Sequence, residues 1–443
     1  MKLKLSHTQI IALGFFLMIV LGTALLSLPI ASQSGQRAPL LTALFTATSA
    51  SCVTGLVLVD TATYWTTFGK TVIILLIQIG GLGFMTIATL FFLLLRRKVG
   101  LRQREVLVDS INTTEVGSVL RLLKTISVGT LVVELSGACL LAIRFIPQFG
   151  LGRGIAYSLF HSISAFCNAG FDLMGVLEPY SSFVAYSGDW LLNLTLIALI
   201  CIGGLGFLVW DDILKNGLRV RRYNFQTRMV LSVSAILLFG GAVVIWALER
   251  RATGAGLPVD EQILTALFAS ATARTAGFNT VDLAAMSDGG KLATILLMFV
   301  GGSPGSTAGG VKTTTVAVLF VAAVATVRHK YCPNVLGRRI SSDLIQKALS
   351  VALINLGFAL VGSLLLCGLQ SLPLTDVLFE CFSAIGTVGM TTGITRELNT
   401  ASSLVIAVMM FVGRVGSVSL AMAFVEKKAR PSVTYPTENL TIG

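Results

Sequence analysis

The chain has 443 residues, of which 54% are hydrophobic and 12% are charged, and its formal net charge at pH 7 is +12. Several uninterrupted apolar runs reach the ~20 residues that a bilayer-spanning helix needs, so the sequence excludes an ordinary soluble globule and predicts a multi-spanning membrane protein. The seven cysteines form no CxxC pair, and the three histidines stand far apart. Neither a zinc site nor a disulfide framework is therefore supported.

The positive charge lies between the apolar runs, in clusters that alternate with acid-richer loops. The clusters are Lys2 with Lys4, 96 to 104, 215 to 228, 328 to 339 and 427 to 430. Under the positive-inside rule, both termini and these loops are expected on the cytoplasmic side of a bacterial plasma membrane. The opposite loops carry acids that would concentrate cations at an entrance, namely Asp60, Asp172, Glu178, Asp282 and Asp288. No DNA-binding motif accompanies the charge, so nucleic acid is not an expected partner.

In chain order, the apolar runs predict eight spanning helices, near 9 to 30, 71 to 95, 122 to 146, 190 to 214, 228 to 249, 291 to 327, 345 to 369 and 402 to 426. Within each successive pair of helices lies a segment that is too short to span and too apolar for a loop. These segments are 38 to 52, 154 to 168, 262 to 274 and 374 to 386. They predict re-entrant pore helices, because non-helical backbone survives at membrane depth only where protein buries it or water reaches it.

Each short segment carries the same local pattern, a Leu-Phe pair followed by small and polar residues and then a glycine. The four copies read LFTATSASCVTGL, LFHSISAFCNAGF, LFASATARTAGF and LFECFSAIGTVGM. The last copy contains most of the TVGYG filter of potassium channels, in which glycine lets successive carbonyls replace the water shell of an ion. The predicted filter residues are Val53, Thr54, Gly55, Asn168, Ala169, Gly170, Thr275, Ala276, Gly277, Thr387, Val388 and Gly389.

These elements predict an all-α membrane protein made of four tandem helix–pore-loop–helix repeats around one central pore. Repeat 1 covers 1 to 98, repeat 2 covers 99 to 218, repeat 3 covers 219 to 330 and repeat 4 covers 331 to 428; residues 429 to 443 form a cytoplasmic tail. A single short segment would suit an interfacial helix with a glycine turn equally well. Four copies in equivalent places favour the pore.

A glycine-rich motif recurs in the second helix of each repeat, and in repeats 1 and 2 it indicates close helix packing. In repeat 3 it becomes the run from Gly301 to Thr313, where five glycines and a proline should break the helix. Val311 separates Gly310 from Lys312, so this is no phosphate-binding loop. We expect a flexible gating loop below the filter, formed by Gly301, Gly302, Ser303, Pro304, Gly305, Ser306, Thr307, Ala308, Gly309, Gly310 and Lys312.

Arg414 stands in repeat 4 where the other repeats have glycine. An arginine at a helix centre costs about 2.5 to 3.5 kcal/mol on insertion scales, so it should face the pore or a paired group. In a cation pathway it would also act as an electrostatic barrier, and we assign it to the gate. A snorkelling arginine and a structural pair with a carbonyl remain the alternatives. We expect Arg274 to bind carbonyls at the end of its pore helix and Lys312 to reach toward the cytoplasm.

The four filters, the broken helix of repeat 3 and Arg414 together resemble the Trk/Ktr/HKT superfamily of potassium transporters, over residues 8 to 428. Within it, the chain looks most like the KtrB type, because only eight spans are present. The resemblance implies a homodimer with one pore per subunit. It also implies a cytosolic ring of nucleotide-binding RCK subunits, of the KtrA or TrkA kind, that opens the pore.

In this superfamily, members that favour sodium carry serine at the first filter glycine, whereas this chain keeps glycine in all four, which favours potassium. The expected function is potassium uptake without a bound cofactor, with sodium as a possible activator. Open alternatives are a less selective sodium and potassium transporter and a coupled secondary transporter, although the latter usually shows inverted halves. An enzyme is not expected, because no paired aspartates or Ser/His arrangement lies within the spans.

Overall fold

A computed structural model describes residues 7–83, 119–217, 219–329, 333–335 and 337–416. In these ranges the protein is almost entirely helical, apart from one pair of two-residue strands. Several features predicted from the sequence lie outside the described residues. They are Lys2 with Lys4, the part of the second span beyond residue 83, the cluster at 96 to 104, the part of the last span beyond residue 416, the cluster at 427 to 430 and the tail at 429 to 443.

In repeat 1, an apolar helix is followed by a short helix, a loop and a second long helix. Their bounds are α1 His7–Leu26, α2 Leu40–Ser51, α3 Thr61–Tyr64 and α4 Thr67–Leu82. Thr66 caps α4, because its hydroxyl accepts the Gly69 N–H at 3.3 Å and satisfies a donor that the first turn leaves free. The short helix α2 occupies the place of the first predicted pore helix.

Repeat 2 departs from the sequence prediction in its second half. Its helices are α5 Val119–Phe149, α6 Leu151–Cys167, α7 Trp190–Gly204 and α8 Phe207–Asn216. The single helix expected over 190 to 214 is instead two helices that meet at 98°. Gly206 has a φ of 92°, which a glycine adopts readily, and the Phe207 N–H donates to the Gly305 carbonyl at 2.8 Å. The chain therefore turns at this glycine, and a contact with repeat 3 stabilises the turn.

Repeat 3 contains two interruptions of helical backbone. Its elements are α9 Phe225–Ala235, the π-helix Ile236–Gly240, α10 Gly241–Glu249, α11 Val259–Thr272, α12 Asp288–Phe299 and α13 Thr313–Val327. The Ser270 hydroxyl donates to the carbonyls of Leu237 and Leu238 in the π-helix, at 3.1 and 2.8 Å. The expected break in the second long helix is present, since residues 300–312 are non-helical.

Repeat 4 begins with two short antiparallel strands and continues with three helices. These elements are β1 Asn334–Val335, β2 Arg338–Arg339, α14 Ser342–Leu369, α15 Leu374–Gly386 and α16 Thr400–Val415. Single 3-10 turns occur at Pro29–Ala31, Met174–Val176, Val184–Tyr186, Val220–Arg222 and Ile394–Glu397.

Four helical segments of the described residues are long and apolar enough to cross a bilayer by themselves, namely Gln9–Leu26, Thr125–Phe149, Phe225–Glu249 and Ser342–Leu369, and the bent pair in repeat 2 could supply a fifth. The apolar helices α4, α13 and α16 are shorter. The count of eight spans therefore stays a prediction. Large apolar side chains on the long helices point outward, as expected for surfaces that face lipid; examples are Leu17, Ile143, Val243 and Val361.

The four short helices, α2, α6, α11 and α15, form the centre of the molecule. The phenylalanine of each Leu-Phe pair is buried, and these residues are Phe45, Phe160, Phe268 and Phe379. Because lipid tails are as apolar as these side chains, their stabilising effect comes from close packing rather than from transfer out of water. The phenylalanine of each pair thus anchors its short helix in the core and fixes where the C-terminal end of that helix lies.

Candidate ion pathway

The segment that follows each short helix has an unusual backbone. Each triplet begins with a non-glycine residue at positive φ, with values of 56° at Val53, 59° at Asn168, 76° at Thr275 and 50° at Thr387. Each ends with a glycine at positive φ, with values of 100° at Gly55, 69° at Gly170, 86° at Gly277 and 93° at Gly389. Positive φ is a rare and strained state for β-branched residues such as valine and threonine. Strain of this kind, about 1–3 kcal/mol per residue, concentrates at functional sites.

Side chains and carbonyls at the end of the short helices hold these segments in place. Ser49 accepts the Thr54 N–H on its carbonyl at 2.8 Å and the Gly55 N–H on its hydroxyl at 3.0 Å. In the same way, Ser383 accepts the Val388 N–H on its carbonyl at 2.8 Å and the Gly389 N–H on its hydroxyl at 3.0 Å. In repeats 2 and 3, the amide bonds to the helix carbonyl recur, at 2.8 Å for Ala169 and 2.9 Å for Ala276. The N–H groups thus point back to the helices, which leaves the filter carbonyls free to face one another.

The four glycines form a closed ring. A Cβ atom placed on Gly55 would lie 2.6 Å from the carbonyl oxygen of Ala169, one on Gly170 would lie 2.8 Å from that of Ala276, and one on Gly277 would lie 2.5 Å from that of Val388. A Cβ on Gly389 would overlap the carbonyl oxygen of Thr54. Thr54 belongs to the first segment, so this contact closes the ring. Each glycine therefore faces a carbonyl of the next segment in cyclic order. Only glycine fits, because any side chain would fill the space between neighbouring carbonyls.

One open cavity adjoins this ring, and all four glycines line it. Three of the acids expected at the entrance, Asp60, Asp172 and Asp282, line it as well. Asp60 accepts the Thr63 N–H at 2.8 Å and the Tyr180 N–H at 3.1 Å. Burial, together with the nearby charge of Asp60, raises the pKa of Asp172 to about 7. We call this space the mouth cavity.

Arg396 also lines the mouth cavity, and the sequence analysis did not identify it. Its guanidinium lies 4.4 Å from the centre of the Tyr180 ring, a cation–π contact between repeats 2 and 4. The neighbouring acids therefore share the cavity with a fixed positive charge. No local signal in the sequence indicates that these two residues meet, since 216 positions of chain (396 − 180) separate them.

The glycine-rich motifs lie directly behind the filter segments. A Cβ on Gly80 would overlap the Ser51 carbonyl, one on Gly203 would overlap that of Phe166, and one on Gly413 would overlap that of Ile385. The predicted close packing in repeats 1 and 2 is therefore observed, and repeat 4 follows it.

The non-helical segment of repeat 3, residues 300–312, forms a closed loop in the layer beneath the filter. Its ends are held together, because Gly301 donates to the Val311 carbonyl at 2.9 Å and Thr313 donates to the Gly302 carbonyl at 3.1 Å. Its middle contacts repeat 2 through the Thr307 hydroxyl, which donates to the Phe166 carbonyl at 3.1 Å.

The far side of the same loop reaches repeat 4. A Cβ on Gly309 would overlap the side-chain oxygen of Thr387, the first residue of the fourth filter segment. The Ser303 N–H meanwhile donates to the Gly204 carbonyl at 2.9 Å. The loop thus passes beneath the filter from repeat 2 to repeat 4.

Arg414 links this loop to repeat 1. Its guanidinium donates to the carbonyls of Thr307 and Gly80, each at 2.5 Å, and to that of Gly81 at 3.2 Å. Among the described residues, no carboxylate pairs with it. These contacts agree with one of the alternatives considered for Arg414, a structural pairing with carbonyls. They also hold its positive charge, without a carboxylate partner in the described ranges, beside the loop. A structural pairing and an electrostatic barrier are therefore compatible.

Two other cations differ from expectation. Lys312 does not extend toward the cytoplasm; its amino group donates to the carbonyls of Ala308 and Gly309, at 2.8 and 3.3 Å, and so braces the loop. Arg274 does not bind the end of its own pore helix; it donates to the carbonyl and hydroxyl oxygens of Ser234 in α9, at 3.0 and 3.2 Å. Both side chains satisfy carbonyl or hydroxyl oxygens inside the protein; those of Lys312 are near in sequence, whereas Ser234 is brought to Arg274 by the fold.

A buried polar network in repeats 1 and 2 was not expected from the sequence. The Gln78 amide donates to the Glu134 carboxylate at 3.0 Å, and the Cys167 thiol lies 3.6 Å from the Gln78 amide oxygen. Cys167 directly precedes the second filter segment. One feature of the sequence could have indicated this network. Gln78 is polar, whereas the aligned positions of repeats 2, 3 and 4 are Cys201, Phe299 and Phe411.

Comparison with known proteins agrees with this geometry. A ring of backbone glycines and carbonyls above a loop and a buried arginine is the arrangement expected of a membrane protein that passes cations. The family described as TrkH, cation transport protein, matches residues 5–433. The chain belongs to the TrkH family, and it is a cation transporter rather than an enzyme.

Among the relatives, the potassium/sodium uptake protein NtpJ of Enterococcus hirae is 40% identical over 451 residues, which is 99% of this chain and 98% of NtpJ. The Ktr system potassium uptake protein B of Bacillus subtilis is 38% identical, over 99% of this chain and 97% of that protein. The crystal structure of the potassium transporter TrkH from Vibrio parahaemolyticus has the same fold, with a TM-score of 0.75 at 16% identity over 96% of this chain and 86% of that one.

Proposed function

We propose that this chain takes up potassium ions across the bacterial plasma membrane through the ring of filter segments. The observation that carries the proposal is the cyclic approach of each filter glycine to a carbonyl of the next segment. Carbonyls arranged in this way can replace the hydration shell of a cation. The binding residues would be the four triplets at 53 to 55, 168 to 170, 275 to 277 and 387 to 389, and the four repeats would surround one pore with eight spans in total.

Potassium is the proposed ion because all four filters keep glycine and because the Bacillus subtilis relative is named as a potassium uptake protein. A less selective pathway for both potassium and sodium is the second candidate. It is favoured by the name of NtpJ, a potassium/sodium uptake protein, and by the different sequences of the four filters. Sodium could then act as a transported ion or as an activator.

The proposed gate is the loop at 301 to 312 together with Arg414. The loop lies where an ion leaving the filter must pass, and Arg414 holds it through the Thr307 carbonyl. A positive charge at this depth also raises the energy of a passing cation. Opening would require the loop to leave its contacts with Gly204 and Phe166.

A cytosolic ring of RCK subunits, of the KtrA or TrkA kind, is proposed to drive that movement on a homodimer of this chain. The support is the similarity to membrane proteins named as parts of Ktr systems. The basic loops and both termini would then face the cytoplasm, in keeping with the positive-inside rule. No nucleic-acid partner and no resident cofactor are proposed for this chain.

Uptake assays test the proposal. The chain is expressed in a bacterial strain without its own potassium uptake systems, alone and with an RCK subunit from the same genome. We expect growth at low potassium and rubidium uptake, both increased by the regulator. Sodium uptake measured in the same cells separates the two candidates, and a chain that carries neither ion at verified expression would refute both.

A further inference from the structure

A groove on the outer flank of the molecule, between α4 and α6, takes no part in the ion pathway. It is lined on one side by Lys70, Thr71 and Ile74 of α4, and on the other by Arg153, Ala156 and Ile163 of α6. We call it the flank groove. Its lining is neither purely apolar, as a lipid-facing surface would be, nor purely polar, as a water-filled cleft would be.

The polarity of the flank groove changes along its length in the same direction on both walls. On α4, Lys70 lies about one helical turn before Ile74, and on α6, Arg153 lies about three turns before Ile163. α4 begins on the side of the mouth cavity, because the Lys70 amino group donates to the Ala62 carbonyl at 2.6 Å, two residues after Asp60. α6 begins at the same end of the groove, because Arg153 in its first turn is close enough for its charge to act on Lys70. The groove is therefore basic at the membrane surface and apolar toward the membrane centre.

Neither basic residue forms an ion pair in the described part of the chain, although the charge of Asp60 lies near enough to act on Lys70. Elsewhere on this side of the molecule, Arg144 pairs with Asp189 at 2.8 Å and Lys291 pairs with Asp376 at 3.0 Å. Lys70 and Arg153 form no such ion pair with any described residue. Arg153 also stands in the first turn of α6, where the helix dipole disfavours a cation. An anion bound in the groove would give both cations an oppositely charged partner. It would also offset the unfavourable interaction between Arg153 and the dipole of α6.

We propose that the flank groove binds one anionic phospholipid of the leaflet on the mouth side, with its phosphate between Lys70 and Arg153 and an acyl chain along Ile74, Ala156 and Ile163. The gradient of polarity matches the orientation of such a lipid, with its charged end at the surface. A free phosphate would leave the apolar half unused. A second copy of this chain, packed symmetrically, would bring the same two cations toward their own images.

Lipid binding to the full-length protein provides the test, with phosphatidylglycerol and phosphatidylcholine as probes in detergent and native mass spectrometry as the readout. We expect the parent to prefer phosphatidylglycerol. The double variant Lys70→Gln/Arg153→Gln should lower that preference by roughly thirtyfold, the factor expected for two basic side chains near an anionic lipid. The control Arg37→Gln/Arg251→Gln removes the same charge from two exposed positions outside the groove and should keep the preference.

A second variant tests the apolar half without changing charge. Ala156→Trp should fill the groove and expel both lipids, while thermal unfolding checks that the variant is folded. Glycerol 3-phosphate at millimolar concentration should not displace the lipid; if it does, the site recognises free phosphate and the lipid proposal fails. The proposal is equally overturned if the groove variants keep the parent's preference, if the control pair loses it, or if cross-links from Ala156→Cys join two copies of the chain.

Discussion

The filter layer and the layer beneath it follow the same fourfold sequence pattern but differ in symmetry. In the filter, glycine stands in all four places and each glycine faces a neighbouring carbonyl. In the layer beneath, the aligned positions are Gly81, Gly204, Gly302 and Arg414, and within the described ranges only repeat 3 contributes a loop. Four equivalent segments are suited to surrounding one ion with carbonyls. A single loop that differs from the other repeats is suited to moving while the rest of the layer stays in place.

The two layers also differ in how firmly they are held. Each filter segment is bonded through its central amide to its own short helix, so its support is local and repeated. The loop depends on bonds to other repeats, such as those from Ser303 to Gly204 and from Arg414 to Thr307. Bonds between repeats can break when the repeats shift relative to one another, without unfolding of the short helices that hold the filter segments. We therefore expect the filter to be rigid and the loop to move.

The largest effect should follow from breaking the filter ring. Gly389→Ala places a methyl group onto the Thr54 carbonyl, so the backbone must shift at the proposed ion-binding site. We expect rubidium uptake to fall by more than about a thousandfold, which corresponds to a barrier increase of ~4 kcal/mol. Gly256→Ala is the matched control, because its φ of 87° is similar but nothing lies within 4 Å of the added atom. Equal losses in both variants would show that backbone strain alone is responsible.

The filter could be predicted from the sequence because its demands are local. A glycine at the end of each triplet and a phenylalanine nine or ten residues earlier both serve the segment that contains them, as Gly55 and Phe45 illustrate. The same holds for the break in repeat 3, which follows from glycines and a proline within one run. Local backbone requirements leave a readable pattern even when the four copies differ in most other positions.

The second prediction concerns the charge in the lower layer. A fixed charge about 6 Å from a passing potassium ion costs roughly 3 kcal/mol at an effective dielectric near 20. Arg414→Ala should therefore raise uptake without the regulator by up to about a hundredfold, while the apparent affinity for potassium changes little. Arg414→Lys keeps the charge but loses the planar fork that reaches Thr307 and Gly80 together.

The lysine variant separates the two functions of Arg414. If the barrier comes mainly from the positive charge, the Arg414→Lys variant should transport like the parent. If it comes mainly from the hydrogen bonds to the loop, the Arg414→Lys variant should leak like the Arg414→Ala variant. Should both variants behave as the parent at equal expression, Arg414 would have no part in the gate.

The third prediction addresses the loop itself. Deletion of residues 305 to 309 removes the part that crosses beneath the filter, while the bonds from Gly301 to Val311 and from Thr313 to Gly302 can still close the ends. We expect about tenfold higher uptake and little remaining dependence on the regulator, because Arg414 stays in place and keeps part of the barrier. A folded deletion variant that conducts no better than the parent would contradict obstruction by the loop.

The contacts of the lower layer could not be predicted because their partners are remote in sequence. The Phe207 N–H at the bend of repeat 2 binds the remote Gly305 carbonyl, although the positive φ of Gly206 itself recurs at the equivalent Gly83 and Gly416. Arg274 likewise binds Ser234, forty residues earlier, and not the nearer carbonyls of its own helix. Polar groups inside a membrane protein take whichever partner the fold brings within reach. Spacing along the chain does not encode that choice.

The smallest expected effects lie in the mouth cavity, where charges act on the ion before it reaches the filter. Arg396→Gln removes a positive charge and Asp282→Asn removes a negative one, and both residues line the cavity. Unit charges 10 Å apart in water interact by ~0.4 kcal/mol, so each change should shift the apparent potassium affinity by about twofold, in opposite directions. Both shifts should shrink as salt is raised, because mobile ions screen exposed charges. Glu178→Gln, in the same outer region but absent from the cavity lining, serves as the control. If both substitutions move the affinity in the same direction, the residues act by shaping the mouth cavity rather than by charge. The contrast between a symmetric filter and its asymmetric surroundings would then extend to the entrance.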